Sequence, residues 1–237
     1  MKKVPSTLSI VVSVFNEQDF VERSLRGLSE TKLPAVSKKE IIVVDDGSTD
    51  GTRDILLKLQ KEIGFLLLHL PKNQGKGSAL RAGIARVSGD LVVFHDADLE
   101  YDPADFNQML VPLLSGKADV VYGSRFVGSE IRRLLFFWHH VGNRIISTLV
   151  NMVTNLNFSD VETCYKMFRA DALKSLSLQS DRFGIEIEMT IKAAKKGLRF
   201  YEVPVSYNGR TYAEGKKITW RDGIGAVYSI LRYGLFD

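Results

Sequence analysis

The sequence predicts an α/β domain with a mostly parallel central sheet flanked by helices. Apolar runs rich in valine and isoleucine alternate with amphipathic helical patterns through the first 120 residues, and the connections between them are short. The length of 237 residues and the 45% hydrophobic content suffice for one large domain with a substantial core. We therefore expect a single domain over 1–237, whose halves 1–124 and 125–237 have different roles.

The first half contains five predicted strands and four predicted helices. The strands are expected at 8–15, 40–46, 65–70, 91–96 and 118–124. The helices are expected at 18–29, 52–62, 77–87 and 103–114. Pro103 is compatible with the first turn of the last helix, where no backbone N–H donor is needed. This order is typical of βα units that build a parallel sheet.

The second half has a different pattern. Residues 131–156 combine apolar and aromatic side chains with basic ones, which predicts one or two amphipathic helices that face a membrane surface. The remaining elements are expected as a strand at 164–169, a helix at 184–196, a strand at 198–207 and a helix from about 219 to 233. We interpret the change near residue 124 as a change of role within one domain.

The composition excludes several classes of protein and of site. One cysteine and four histidines argue against a disulfide framework and against a Cys/His zinc site, so a metal here is expected to be a hard ion with oxygen ligands. The apolar run before Asn16 and Glu17 is too short for a signal peptide, and no window of about eighteen uninterrupted apolar residues predicts a membrane-spanning helix.

Charge is distributed unevenly along the chain. Residues 1–120 carry 15 Lys/Arg and 17 Asp/Glu, a net charge of −2, and residues 121–237 carry 17 and 11, a net charge of +6. An acidic half joined to a basic half suggests a metal site in the first and an anionic partner for the second. The alternative is a solvated basic surface without a partner.

Polar or acidic residues follow three of the predicted strands. In open α/β sheets, ligands bind beyond the carboxyl ends of the strands. Asp96 and Asp98 alternate onto the same side of an extended segment, where two carboxylates repel each other unless a cation lies between them. Oxygen ligands favour Mg²⁺ or Mn²⁺, whereas the alternative is a solvated turn in which aspartates cap the backbone. The strand ends carry Asn16, Glu17, Asp45, Asp46, Asp96 and Asp98.

Two further segments predict ligand contacts. In VVDDGSTDGTRD, turn and capping chemistry explains Gly47 to Thr52 but not both Asp45 and Asp46, and a carboxylate there can accept a hydrogen bond from a base or a ribose. In PKNQGKGSALRAG, the glycines beside Lys76 predict an anion-binding loop at a helix start. This loop is not a Walker A sequence, and the absence of G-x-G-x-x-G after the first strand argues against a nicotinamide oxidoreductase.

Four stretches in order over about a hundred residues resemble glycosyltransferase family 2, which comprises inverting, nucleotide-sugar-dependent enzymes of GT-A fold. They are VVSVFNE, IIVVDDGSTDGT, NQGKGSALRAGI and HDADLEYDP. The resemblance implies that Asp96 and Asp98 hold a divalent ion on the donor diphosphate and that Asp45 and Asp46 contact the nucleoside. The same motifs place Asn16, Glu17, Gly75, Lys76 and Ala97 in the donor site.

The second half looks like the dolichol-phosphate mannose synthase-like branch, whose members transfer a sugar to a polyprenyl phosphate. The matching stretches are YGSRF, FWHHVGNRIISTLVN, SDVETCYKMFR, DRFGIEIEMTIKAAKKG and YEVPVSYNGRTYAEGKKITWRDGI. This resemblance implies a nucleotide-sugar and metal half at 1–124 and an acceptor and membrane half at 125–237. Arg125 and Arg210 fall on positions that contact phosphates in such synthases. Glu100 departs from the frequent glutamine but can still ligate a metal.

The acceptor determines whether the reaction needs a base. A sugar hydroxyl must lose a proton as it attacks, whereas a phosphate monoester is already anionic. Arg210 with Lys216 or Lys217 is expected to add positive charge at the donor diphosphate. Glu186 and Glu188 in FGIEIE are active-site candidates whose role as a base stays open, a plain helix face being the alternative.

The basic residues around the apolar-aromatic segment are expected to bind the acceptor phosphate and anionic lipid headgroups. A core helix is the alternative reading of 134–138. The expected location is peripheral, on the cytoplasmic face of a membrane, with a separate membrane subunit as a possible partner and no nucleic acid. The alternatives are a family 2 enzyme with a carbohydrate or other hydroxyl acceptor and a non-catalytic nucleotide-sugar-binding module. The basic residues are Arg125, Arg132, Arg133, His140 and Arg144.

Overall fold

The structure is a computed structural model that describes residues 7–128, 131–134, 136–216 and 220–236. Its strands are β1 (Thr7–Val14), β2 (Lys38–Asp45), β3 (Leu66–His69), β4 (Leu91–Asp96), β5 (Val120–Ser124), β6 (Lys166–Arg169) and β7 (Phe200–Pro204). Its helices are α1 (Val21–Glu30), α2 (Thr52–Ile63), α3 (Lys76–Ile84), α4 (Phe106–Leu114), α5 (Phe137–Thr154), α6 (Ala170–Lys174), α7 (Gly184–Lys195) and α8 (Trp220–Leu235). Short 3₁₀ turns lie at Pro103–Asp105 and Tyr212–Glu214.

The seven strands form one mostly parallel sheet, as predicted. Their order is β3-β2-β1-β4-β6-β5-β7, and only β6 runs antiparallel to its neighbours among the described strands. Chain order reverses between β1 and β4, which makes this point a topological switch. The register pairs Val14 with Asp45 and Ser13 with Asp96, so the carboxyl ends of β1, β2 and β4 lie side by side.

The core lies on both faces of the central strands. The side chains of β4 from Leu91 to His95 are all buried, and so are those of β1 from Leu8 to Val12. Near-continuous apolar runs of this kind are what a parallel sheet with helices on both faces requires. The rigid centre of the sheet therefore ends at the edge where the acidic residues emerge.

Most of the predicted elements are confirmed, with boundaries shifted by a few residues. The described residues of the segment 131–156 contain one helix, α5. The strand predicted at 198–207 is shorter because pairing with β5 ends at Pro204. The five-residue helix α6 was not predicted, because five residues give no clear periodicity. The predicted start of the last helix at Thr219 lies outside the described residues, which place its first residue at Trp220.

Helices α5 and α8 pack against each other, and each of them exposes several large apolar side chains. We call this set the α5/α8 apolar surface. None of the helices in the described ranges is long and apolar enough to span a bilayer. The surface comprises Phe137, Trp138, Ile145, Met152, Ile224, Tyr228, Leu231 and Leu235.

Candidate active site

Asp96 is the last residue of β4 and lies at the switch point of the sheet. Its Oδ1 accepts a hydrogen bond from Ser13 Oγ at 3.3 Å, and its Oδ2 accepts one from Lys76 Nζ at 2.9 Å. Ser13 comes from β1 and Lys76 opens α3, so two neighbouring elements fix this carboxylate. The predicted metal ligand is therefore rigid and already faces one cation of the chain.

Asp98 follows two residues later and is largely buried. Its Oδ1 accepts the backbone N–H of Glu100 at 3.1 Å, and its Oδ2 lies 3.4 Å from Arg210 Nη2. Burial, followed by the negative charges of Asp96 and Glu100, raises the pKa of Asp98 to about 7. A cation near Asp96 and Asp98 would relieve this repulsion, and their carboxylate oxygens are hard donors that suit Mg²⁺ or Mn²⁺.

Arg210 lies among three carboxylates. Its Nη1 is 3.2 Å from Glu17 Oε2, its Nη2 is 3.4 Å from Asp98 Oδ2, and its Nε is 3.7 Å from Glu100 Oε1. The guanidinium carbon also lies 5.1 Å from the centre of the Phe20 ring. The residue predicted to bind donor phosphate is thus adjacent to the predicted metal ligands.

Glu100 anchors the segment that carries Arg210. Its Oε1 accepts the backbone N–H of Arg210 at 2.7 Å, and its Oε2 accepts the hydroxyl of Tyr207 at 2.9 Å. Within the described ranges, no three His, Cys, Asp or Glu side chains are arranged to hold a metal ion together. An ion on Asp96 and Asp98 would therefore take further ligands from a bound phosphate or water, and a ligand role for Glu100 stays a prediction.

Lys76 and Lys166 enclose Glu186 in a buried charge network. Lys76 Nζ lies 3.1 Å from Glu186 Oε1, and Lys166 Nζ lies 2.5 Å from Glu186 Oε2. Because Lys76 also contacts Asp96, the network connects α7 to the end of β4. Burial of a lysine requires such partners, since an isolated buried ammonium is costly.

Glu188 has a different set of partners. Its carboxylate accepts the backbone N–H groups of Gln179 at 2.8 Å and Ser180 at 2.7 Å, and it forms an ion pair with Lys192. These contacts hold the chain that leads into α7. Of the two glutamates predicted from FGIEIE, Glu186 is the one that the structure joins to Asp96.

The two aspartates that follow β2 bind elements of their own chain. Asp45 accepts the Ser48 N–H at 2.9 Å and lies 3.1 Å from His69 Nδ1. Asp46 accepts the N–H groups of Gln74 at 2.9 Å and Gly75 at 2.8 Å, and burial raises its pKa. The backbone donors predicted to cradle an anion are thus engaged by a carboxylate, and contact of Gly75 with a donor remains a prediction.

Asn16 and Glu17 connect the end of β1 to the loop after β2. The Asn16 N–H donates to Ser48 Oγ at 3.0 Å, and the Asn16 side-chain oxygen accepts the Thr49 N–H at 2.8 Å. The Glu17 N–H donates to Thr52 Oγ1 at 2.9 Å. Asn16 therefore positions the loop, whereas the Glu17 carboxylate faces Arg210.

Arg125 forms a buried two-point ion pair with Asp160. Its Nε and Nη2 each donate at 2.7 Å to the two carboxylate oxygens, and its guanidinium lies 5.2 Å from the centre of the Tyr207 ring. The Tyr207 hydroxyl in turn donates a hydrogen bond to Glu100, so the Tyr207 ring lies between Arg125 and Glu100. The contact of Arg125 with a phosphate stays a prediction, and Nη1 is the guanidinium nitrogen that does not pair with Asp160.

The 3₁₀ turn after Arg210 contacts the start of α5 and the segment that precedes it. Arg133 Nη1 lies 2.8 Å from Glu214 Oε2, and His139 Nε2 lies 2.9 Å from the Tyr212 hydroxyl. Lys216 is partly buried, which lowers its pKa, and its ammonium lies 5.5 Å from the centre of the Phe136 ring. Lys217 lies outside the described residues.

Comparison with known sequences identifies the family. Residues 9–177 match the Glycosyl transferase family 2 profile. The chain belongs to this family. It is 30% identical over 207 residues to Glycosyltransferase AglJ of Haloferax volcanii. This alignment covers 87% of this chain and 64% of AglJ. It is 28% identical over 238 residues to the Undecaprenyl-phosphate mannosyltransferase of Micrococcus luteus. That alignment covers 95% of this chain and 93% of the relative.

The chain is shorter than some of its family 2 relatives. It spans 64% of AglJ and 49% of the low-salt glycan biosynthesis hexosyltransferase Agl6, also from Haloferax volcanii. Among solved structures, glucosyl-3-phosphoglycerate synthase of Mycobacterium tuberculosis, crystallised with Mn²⁺ and UDP-glucose, has a TM-score of 0.74 at 22% identity. The alignment covers 97% of this chain and 79% of that one, which confirms the GT-A fold.

Glu162 lies near the same charge network, and the sequence did not single it out as a site residue. Burial raises the pKa of Glu162 to about 7, and its Oε1 has no hydrogen-bond partner among the described residues. The charges of Lys166 and Arg125 lower its pKa, and those of Glu186 and Asp160 raise it further. The only indication in the sequence was an acid two residues after Asp160, and such a spacing is common in turns.

Proposed function

We propose that this chain is a metal-dependent inverting glycosyltransferase domain that transfers a sugar from a nucleotide diphosphate sugar to a polyprenyl phosphate. The observation that carries the proposal is the contact of Arg210 with Asp98, two residues after Asp96, at the carboxyl edge of the parallel sheet. A guanidinium beside two partly buried carboxylates suits a diphosphate held with a cation.

The donor site combines contributions from both halves of the chain. Asp96 and Asp98 are the proposed ligands of Mg²⁺ or Mn²⁺, which when bound would stabilise the leaving diphosphate as a Lewis acid. Arg210 would bind the diphosphate through its planar fork, and Lys216 would add positive charge from the same loop. Asp45 and Asp46 would contact the nucleoside at the end of β2.

The environment of Glu186 supports a phosphate acceptor. Each of its oxygens faces a lysine ammonium, so its carboxylate is committed to ion pairs and is a poor acceptor for the proton of a hydroxyl. A phosphate monoester attacks through an oxygen that is already anionic and needs electrostatic guidance more than a base. Arg125 and Arg132 would provide it, as Arg132 Nη1 donates to the Arg125 carbonyl at 2.9 Å.

The α5/α8 apolar surface supports binding to a membrane that contains the acceptor. Trp138 is 78% exposed and Phe137 is 68% exposed at the start of α5, next to the turn that follows Arg210. Arg144 is exposed on the same helix and suits anionic headgroups. A peripheral location on the cytoplasmic face, and a metal and nucleotide half at 1–124 joined to an acceptor half at 125–237, belong to the same proposal.

A hydroxyl acceptor is the second candidate, and Glu162 favours it. A partly buried carboxyl with a pKa of about 7 and an unpartnered oxygen has the properties of a general base near neutral pH. The relative named for glucosyl-3-phosphoglycerate shares only the fold at 22% identity, so its acceptor is no guide to this chain.

Labelled-product assays distinguish the two functions. The protein is incubated with Mn²⁺, a labelled UDP- or GDP-sugar chosen by thermal shift, and either undecaprenyl phosphate or a panel of sugar acceptors. The proposal is supported if the labelled sugar enters the lipid phase, and if this incorporation depends both on Mn²⁺ and on the phosphate group of the lipid. Label only in water-soluble glycans rejects it in favour of the second candidate, and donor binding without turnover in either arm indicates a binding module.

A further inference from the structure

Lys76 places an ammonium group on one of the two proposed metal ligands. Its Nζ lies 2.9 Å from Asp96 Oδ2, within the range of a charge-assisted hydrogen bond. A divalent ion that coordinates Asp96 needs the lone pairs of the same carboxylate. The Lys76 ammonium and the divalent ion would therefore both bind the Asp96 carboxylate.

The chain holds Lys76 in this position from several sides. Glu186 Oε1 lies 3.1 Å from the same nitrogen, and the other Glu186 oxygen is bound by Lys166. The start of α3 docks on the segment before α7, because the Ser78 N–H donates to the Asp181 carbonyl at 2.9 Å. Gly77 permits this close approach, since a Cβ there would lie 2.3 Å from the Ser180 carbonyl oxygen.

The second proposed ligand has a similar arrangement. Arg210 Nη2 lies 3.4 Å from Asp98 Oδ2. Arg210 is carried by a surface segment and is the proposed partner of the donor diphosphate, whereas Lys76 belongs to the buried network. Each carboxylate of the pair thus has a cation of the chain beside it, and the one on Asp96 is the more firmly anchored.

We propose that Lys76 is a tethered cation that competes with the divalent ion for Asp96. The inference rests on the proposed metal site. It requires that the ion binds weakly to the protein alone and more tightly when a nucleoside diphosphate supplies both metal ligands and an anion for the lysine. Because coupling between two ligands is reciprocal, the nucleotide binds more tightly with the ion by the same factor.

Mn²⁺ binding measured by electron paramagnetic resonance at pH 8 tests the inference without any turnover. Titrations are performed on the full chain with and without UDP, and with GDP in parallel. Three variants are compared with the wild type: Lys76→Met, the charge-balanced double variant Lys76→Met/Glu186→Gln, and Lys192→Met, which removes a lysine paired with Glu188 instead.

In the absence of nucleotide, both Lys76 variants are expected to bind Mn²⁺ about tenfold more tightly than the wild type. The factor by which a nucleotide increases the Mn²⁺ affinity should be smaller by the same factor of about ten. Lys192→Met should match the wild type, and the double variant shows that the gain does not come from a change in net charge. An Mn²⁺ affinity that is unchanged or weaker in both Lys76 variants overturns the inference.

Asp98→Asn separates this inference from the proposed function. If Asp98→Asn abolishes Mn²⁺ binding while both Lys76 variants behave as the wild type, the metal site stands and the role of Lys76 is wrong. If Mn²⁺ binding survives Asp98→Asn, the proposed metal site is wrong and the competition by Lys76 is rejected with it.

Discussion

Arg210 Nη2 lies 3.4 Å from Asp98 Oδ2, although 112 positions separate the two residues in the chain. The contact joins the acidic first half to the basic second half at the carboxyl edge of β4. It brings the strongest candidate for a phosphate-binding group next to a strong candidate for a metal ligand. An acidic residue of the first half and a basic residue of the second half thus meet at one site.

Asp98→Ala is expected to abolish metal-dependent binding of the donor nucleotide. The substitution removes one of the two partly buried carboxylates proposed to hold the ion, and Arg210 loses one of its partners. Isothermal titration with UDP or GDP, with and without Mn²⁺, measures the effect. Asp54→Ala, at an exposed position of α2, is the control. Equal metal-dependent affinity in Asp98→Ala and wild type contradicts the metal assignment.

Trp138→Ser is expected to weaken association with anionic vesicles. The exposed indole would otherwise leave water on binding, which corresponds to roughly 1–2 kcal/mol, or about a tenfold change in partitioning. Sedimentation with phosphatidylglycerol vesicles measures it. Val111→Ser on α4 provides the control, because Val111 is 63% exposed but lies outside the α5/α8 apolar surface. Equal losses for the two variants would argue against a specific membrane face.

Arg133 is expected to contribute less to membrane binding than Arg144. The sequence assigned both to a basic surface, but the structure pairs Arg133 with Glu214 at 2.8 Å, whereas Arg144 is exposed on α5. Arg144→Ala should therefore reduce vesicle binding at low salt, by about 1 kcal/mol, and Arg133→Ala should reduce it less. The same sedimentation assay at two salt concentrations checks the order, and a larger effect of Arg133→Ala would reverse it.

Gly77→Ala is expected to destabilise the fold by about 1–3 kcal/mol. The added Cβ would lie 2.3 Å from the Ser180 carbonyl oxygen, so α3 would have to move away from the segment before α7. Gly225→Ala is the matched control at an exposed position of α8, where a Cβ meets nothing within 4 Å and the change should stabilise by about 0.5–1 kcal/mol. Urea unfolding of both variants checks the opposite signs.

The placement of Asp45, Asp96 and Asp98 could be predicted because it depends on local pattern. Parallel strands share one carboxyl edge, so residues that directly follow the strands must meet there. The network of Lys76, Glu186 and Lys166 could not be predicted in the same way. It requires knowing that β6 inserts antiparallel between β4 and β5, and nothing in the pattern of a four-residue strand gives its direction or its neighbours.

Two other features of the site depend equally on tertiary contacts. Arg125 was predicted as a phosphate ligand, but its two-point pairing with Asp160 follows from the fold of the chain after α5. Glu100 was predicted as a possible metal ligand from its position two residues after Asp98. Its contacts with Tyr207 and the Arg210 backbone arise from a segment more than a hundred residues away.

Glu162→Gln is expected to stabilise the protein at pH 8 and to have little effect near pH 4.5. Burial raises the pKa of Glu162 from 4.5 to about 7. The negative charges of Glu186 and Asp160 add to this increase, and the positive charges of Lys166 and Arg125 partly offset it. The native state then binds its proton more tightly than the unfolded state, so stability falls as the pH rises from about 4.5 to 7 and is constant above.

Replacement by glutamine removes this loss, which corresponds to about 1–3 kcal/mol for a partly buried group. Unfolding in urea at pH 5, 6, 7 and 8 measures the difference between variant and wild type, which should grow across that range and then level off. Glu30→Gln at the exposed end of α1 is the control. A difference that is the same at every pH would show that Glu162 is ionised in the folded protein throughout, and its candidacy as a general base near neutrality would fail with it.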